Sequence, residues 1–267
     1  MKNKNSAFTA LITGASSGIG RELAKIHAEK GGNLVLVARN IANLNELKSQ
    51  LETQFGINVT VIAKDLTLPD APQEVYDEVI SKNIRVDFLI NNAGFADNHA
   101  FATADRTKLY GMIDLNIRAL SEFIRLFLPD MLQRRSGKIL NTASVAAYMP
   151  GPYMATYFAT KSYVLSLSAA IAREVNKSGV SVTTLCPGPT DSQFWEVAGM
   201  DNSKYLKMIK LPSAHFVAKT AYKAMLKGQK TVIPCRWNKT LVGLVRFLPR
   251  SWVSAIAAKL MMPQNVK

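Results

Sequence analysis

"TALITGASSGIG", residues 9–20, runs from an apolar, β-forming stretch through a glycine-rich turn into a helical pattern. A glycine loop that follows a strand and opens a helix suits phosphate binding, because the first helical turn offers free N–H groups and the positive end of its dipole. Gly14 permits the tight turn, Gly18 lets the backbone approach a pyrophosphate, and Gly20 allows helix and strand to pack closely. The loop reads as a dinucleotide site rather than a plain Gly/Ser turn.

Working outward, short apolar runs alternate with longer helical patterns. The strands expected are 9–13, 33–38, 58–63, 87–91, 137–142, 180–185 and 230–234. Helices are expected over 18–30, 41–54, 70–82, 105–133, 155–177 and 213–227. Most of the strands are apolar on both faces, as buried parallel strands are. Such alternation predicts an α/β fold, a Rossmann-type doubly wound parallel sheet of about seven strands. Ligands of such sheets sit at the carboxyl ends of the strands. No repeat, linker or low-complexity stretch divides the chain. We expect one domain, with residues 1–235 as its catalytic body and 236–267 as a basic amphipathic extension.

The composition, 48% hydrophobic and 19% charged, suits a chain that buries a sizeable core. Two cysteines, Cys186 and Cys235, form no disulfide framework and no metal-ligand spacing, and so imply a reducing compartment. The start "MKNKNSAFTALIT" only weakly echoes a signal peptide, since its apolar part runs straight into the glycine loop. No stretch is long enough to span a bilayer. A cytoplasmic protein, with peripheral membrane contact as an option, is the expectation. Charge is unevenly spread: residues 1–201 carry 20 Lys+Arg against 19 Asp+Glu, whereas 202–267 carry 13 Lys+Arg and no acid.

Further motifs follow the glycine loop in order. "NNAG" stands at 91–94, after the fourth expected strand. Asn116, Ser144, Tyr157 and Lys161 come next, then "PGPTDS" at 187–192. With three residues between its first two glycines, the loop resembles that of the short-chain dehydrogenase/reductase family in its compact subfamily, and the resemblance covers about residues 8–235. It implies that Asn116, Ser144, Tyr157 and Lys161 form a catalytic tetrad. It also implies dinucleotide contacts from Gly14, Ser16, Ser17, Gly18, Ile19 and Gly20 in the first loop, and from Asn92, Ala93 and Gly94 in the second. Tyr157 and Lys161 are expected to touch the nicotinamide half, Pro187, Gly188 and Thr190 to border it, and Asp65 to contact adenine. No metal is implied.

Tyr157 and Lys161 stand one helical turn apart and so share a face. A carbonyl reductase must deliver a proton as hydride arrives and must steady the oxygen as charge builds. A phenol is a poor acid–base group at neutral pH. A neighbouring ammonium, joined by the positive charge of an oxidised nicotinamide, is expected to lower its pKa, making Tyr157 the donor and Lys161 the tuner. By resemblance, Ser144 holds the substrate oxygen, Lys161 bonds the nicotinamide ribose, and Asn116 bends its helix and holds a water in a proton relay.

At the end of the second strand an acid would favour NAD and a base NADP. This chain has Ala38 followed by Arg39, so NADP(H) is expected, although Ser17 stands where some NADP-dependent relatives carry a second base. The family's variable lid falls at 189–212. There Phe194, Trp195, Met200, Tyr205, Leu206, Met208 and Ile209 either wall a pocket for a hydrophobic carbonyl or alcohol substrate or serve as ordinary packing. In the tail, Leu241, Val242, Leu244, Val245, Phe247 and Leu248 cluster before Pro249, and Trp252, Val253, Ile256, Ala257 and Leu260 make a helical stripe. Basic residues flank both groups, which suits an anionic membrane surface or packing on the sheet or a partner subunit. Nucleic acid is not expected, since no recognition motif accompanies the charge. The family pattern implies a homodimer or homotetramer. An NADP(H)-dependent oxidoreductase is the leading reading. The alternative is a dinucleotide-bound scaffold or redox sensor whose tail acts at a membrane, and the complete tetrad argues against it.

Overall fold

The computed structural model describes residues 8–200 and 203–263, apart from the side chains of Lys204 and Tyr205. The signal-like residues 1–7 and the lid residue Tyr205 therefore lie outside the described set. Seven strands form one parallel sheet in the order β3-β2-β1-β4-β5-β6-β7. They are β1 (Thr9–Thr13), β2 (Asn33–Ala38), β3 (Val59–Ala63), β4 (Phe88–Asn91), β5 (Gly137–Thr142), β6 (Val180–Leu185) and β7 (Thr231–Val232). The order reverses direction between β1 and β4, which opens a crevice at their carboxyl ends.

Both faces of the sheet are covered, so the strands carry apolar residues at successive positions. Ala10, Ile12, Leu34 and Leu36 pack against α1 (Gly18–Ala28), α2 (Ile41–Phe55) and α9 (Ala214–Leu226), through residues such as Leu23, Leu47 and Val217. Leu11, Val35, Val37 and Ile139 face the other way. They meet α3 (Ala71–Ser81), α5 (Leu120–Gln133) and α6 (Ala155–Glu174), through Val79, Phe123 and Val164.

Three elements depart from the sequence reading. The helix expected over 105–133 is α4 (Arg106–Ile113) and α5 joined by a π-helical segment, Asp114–Ala119, with Asn116 inside it. The last strand is only two residues long, because at this sheet edge it pairs with β6 through Thr231 and Val232 alone. The lid holds two short helices, α7 (Phe194–Val197) and α8 (Lys204–Met208), and the tail forms α10 (Arg236–Val245) and α11 (Arg250–Met261). No helix among the described residues is long and apolar enough to cross a membrane.

Candidate active site

Six strands deliver their next residues to one cavity of about 560 Å³. Gly14, Ser16, Ser17, Gly18 and Ile19 line it after β1, Arg39 after β2, Asp65 after β3, and Asn92, Ala93 and Gly94 after β4. Ser144 follows β5, and Pro187, Gly188 and Thr190 follow β6, while Tyr157 and Lys161 reach in from α6.

Two glycine-bearing loops are knitted together at the crevice. Gly14 and Gly18 have φ of +66° and +53°, the left-handed region that a side chain disfavours. Thr13 Oγ1 accepts from the N–H groups of both Asn92 and Ala93 at 3.0 Å, and Asn92 Nδ2 donates to Thr13 O at 3.2 Å. Gly20 does not line the cavity. A Cβ there would come within 2.2 Å of Gly14 O, so its absence lets α1 seat against the loop. The Ser17 hydroxyl makes no cap bond at the start of α1, and the first turn carries no acid. These features suit an anion.

Asn116 is also outside the cavity, fully buried behind Gly94. Its Nδ2 donates to Phe95 O at 3.1 Å and to Thr160 Oγ1 at 3.0 Å, and its Oδ1 accepts from Phe95 N at 3.2 Å. A Cβ on Gly94 would lie 3.0 Å from Asn116 Oδ1 and 3.2 Å from Lys161 Nζ. Asn116 thus ties the π segment to the loop after β4 and to α6, one turn from the catalytic candidates. The bend expected there is a π-helical turn.

Ser144, Tyr157 and Lys161 are all buried, at 7%, 8% and 3% exposure. The Ser144 hydroxyl accepts from Ala146 N at 3.1 Å, donates to Pro187 O at 3.3 Å, and lies close enough to the Tyr157 phenol to lower its pKa. Lys161 Nζ donates to Thr142 O at 2.8 Å and lies 5.8 Å from the centre of the Tyr157 ring. The protein's own groups act in the opposite direction. Burial pushes the Tyr157 pKa up from 10.0 to about 12, opposed by the nearby Ser144 hydroxyl, so the decrease expected at the sequence level depends on the added positive charge of the nicotinamide. Burial likewise pushes Lys161 down from 10.5 to about 8. Desolvation dominates at both groups, and the ammonium is turned to the Thr142 carbonyl.

Asp65 plays two parts. It lines the cavity, and its Oδ1 accepts from Thr67 N at 3.0 Å and Thr67 Oγ1 at 2.8 Å, fixing the turn after β3. Arg39 is exposed at the same end, beside Asn40, Asn43 and Lys64, which the sequence reading did not single out. Lys64 could have been noticed, since it directly precedes Asp65.

The far end of the cavity is apolar. Of the expected lid residues, Phe194 and Trp195 line it. Met200, Leu206 and Ile209 pack in the cluster around Tyr157, and Met208 is 83% exposed, so it does not wall the pocket. The Trp195 indole N–H donates to Thr190 O at 2.9 Å, tethering the lid to the loop after β6. The remaining wall comes from residues not assigned to it, Phe95, Leu115, Met149, Met154 and Phe158, together with both tail helices. Leu241, Val245 and Leu248 of the first tail segment and Val253, Ile256, Ala257 and Leu260 of the second all face the cavity. The tail is anchored to the site: Asn98 Nδ2 donates to Met261 O at 2.9 Å, and a Cβ on Gly188 would come within 2.0 Å of Asn238 Nδ2. Packing against the body, one of the options left open by the sequence, therefore holds for one side of these helices.

Comparison with known proteins agrees with this geometry. The family described as short chain dehydrogenase matches residues 8–203. The chain belongs to the short-chain dehydrogenase/reductase family. It is 31% identical over 225 residues to an uncharacterized oxidoreductase of Staphylococcus epidermidis, covering 84% of this chain and 96% of that protein. Among solved structures it is similar to a short-chain dehydrogenase from Sphingobium yanoikuyae in complex with NADPH. That match has 31% identity and a TM-score of 0.80, covering 91% of this chain and 97% of the other. It is also similar to the bulky-bulky ketone specific alcohol dehydrogenase of Comamonas testosteroni, at 28% identity and a TM-score of 0.77, covering 92% and 97%. As a member of this family the protein is an oxidoreductase.

Proposed function

We propose that this family member is an NADP(H)-dependent oxidoreductase that transfers a hydride between nicotinamide and the carbonyl or secondary alcohol of an apolar substrate. One observation carries the reading. The buried Ser144–Tyr157–Lys161 group stands between a polar cradle that suits a dinucleotide and a wall of apolar side chains, all within one cavity. The positive-φ glycines, the uncapped start of α1 and the exposed Arg39 fit the pyrophosphate and a ribose 2′-phosphate. The NADPH complex of the Sphingobium relative supports the cofactor, and the bulky ketones named for the Comamonas enzyme support the substrate class.

When bound, the dinucleotide supplies or takes up the hydride. Tyr157 would give its phenolic proton to the substrate oxygen, and the Ser144 hydroxyl would hold that oxygen as negative charge grows. With its pKa near 12 the phenol is protonated at neutral pH, the form that carbonyl reduction needs. Lys161, near 8, is then mostly cationic and favours the tyrosinate left behind. The apolar walls exclude water from the developing charge. Asn116 acts by positioning, holding α6 and the loop after β4 in register. We take residues 8–263 as one functional unit, since the tail closes the same cavity.

Tyr157→Phe tests the assignment. It should lower turnover by about 10²–10⁴-fold while NADPH affinity, read by quenching of protein fluorescence, stays within about twofold, the scatter expected of single interactions. Turnover near the wild-type rate would remove Tyr157 from the chemistry.

A further inference from the structure

The apolar residues of α10 and α11 fall into two sets. Val242, Val253 and Ala257 are buried, the last two inside the cavity wall. Leu241, Leu248, Ile256 and Leu260 line the cavity yet remain 38%, 41%, 55% and 43% exposed, so they form its rim. Beyond the rim stand Trp237, Phe247 and Trp252, at 74%, 87% and 65% exposure. In α10 the exposed Trp237, Leu241 and Leu244 recur at helical spacing, and in α11 Trp252, Ile256 and Leu260 do the same. An apolar surface continuous over two helices marks an interaction face.

We propose that this face docks on an anionic phospholipid bilayer, with the mouth of the cavity opening into the lipid interface. Charge selects the partner. Arg236, Lys239, Arg246, Arg250 and Lys259 are exposed among the aromatic side chains, and residues 202–267 contain no Asp or Glu. Exposed aromatic and aliphatic side chains ringed by cations are what an interfacial element needs, each cation adding attraction to anionic headgroups. A second copy of the chain fits poorly, because apposing two such faces would bring five cations against five with no acid to pair them. A bilayer satisfies both features at once: headgroup phosphates meet the cations, and the acyl boundary takes Trp237, Phe247 and Trp252. An apolar substrate dissolved in the lipid would then reach the rim without crossing water.

Flotation of the full chain with phosphatidylcholine vesicles, against vesicles carrying about a third phosphatidylglycerol, tests it without any turnover measurement. Binding to the anionic vesicles should be at least about tenfold tighter and should weaken as salt is raised, since the cations are exposed. The double substitution Phe247→Glu and Trp252→Glu touches neither the cavity lining nor the core. It should lower vesicle binding at least about tenfold while leaving NADPH affinity unchanged, which also verifies that the variant is folded. Equal or undetectable binding to the two vesicle types overturns the proposal. So does a homodimer, seen by sedimentation, that the double substitution dissociates, because the face would then belong to a second copy.

Discussion

Replacing Lys161 by Met should stabilise the protein while disabling it. Met has a similar length and carries no charge. The fall of the Lys161 pKa from 10.5 to about 8 is the cost of burying its ammonium. At about 1.4 kcal/mol per pH unit, it amounts to about 3 kcal/mol near neutral pH. Removal of Nζ also leaves the Thr142 carbonyl without its 2.8 Å donor, at about 1 kcal/mol. The net gain is about 2 kcal/mol, or a melting temperature about 4–8 °C higher. The pH dependence identifies the cause. Between about 8 and 10.5 the unfolded wild type binds more protons than the folded one, so wild-type stability rises with pH through that window. The advantage of Lys161→Met should therefore be full below pH 8 and shrink to less than about 1 kcal/mol by pH 10. Thermal unfolding of both proteins at pH 7 and 10 measures it, and turnover at pH 7 should fall at least about 100-fold. A variant no more stable than wild type at pH 7, or one whose advantage is the same at pH 10, would refute the claim that charge burial dominates at this site.

Gly20→Ala would place a Cβ 2.2 Å from the Gly14 carbonyl, so α1 must shift. Denaturant titration should show a loss of about 1–3 kcal/mol, with weaker dinucleotide binding. Arg39→Ala should raise the KM for NADPH about tenfold, the value of one charge-assisted contact, and leave NADH kinetics nearly unchanged; equal effects on both would remove Arg39 from cofactor selection. Because Lys161 loses its charge above about pH 8 and then no longer favours the tyrosinate left by proton transfer, reduction should decline through alkaline pH. Alcohol oxidation, which needs the tyrosinate, should rise over the same range, and initial rates in both directions across pH 6–10 would check the opposite slopes.

Much of this architecture was legible in the chain. Strands buried on both faces must be apolar at consecutive positions, and β1, β2, β5 and β6 match the expected boundaries to the residue. The cavity residues were legible for a related reason: a glycine-rich turn between an apolar strand and a helix, with further motifs directly after later strands, marks the sheet end where ligands bind. Other features depend on contacts the sequence does not display. The π segment around Asn116 reads as ordinary helix, because what fixes it is the amide's bonds to Phe95 and Thr160 across the fold. The rise in the Tyr157 pKa reflects how deeply α6 is covered, which the four-residue spacing to Lys161 cannot reveal. Met208 was one apolar residue among several in the lid, and only the fold shows it turned to solvent. The tail is the most instructive case. Its stripes were visible, but an amphipathic pattern does not say that one side of the helix closes the cavity while the other remains bare.

That α10 and α11 close one side of the apolar wall places part of the cavity's shape late in the chain. The polar lining after β1 to β6 all precedes position 194, so on the ribosome it is made before the two helices that complete the apolar side. Exchange of residues 236–263 between relatives would thus recast one side of the cavity in a single recombination event, leaving Tyr157 and the glycine loop as inherited.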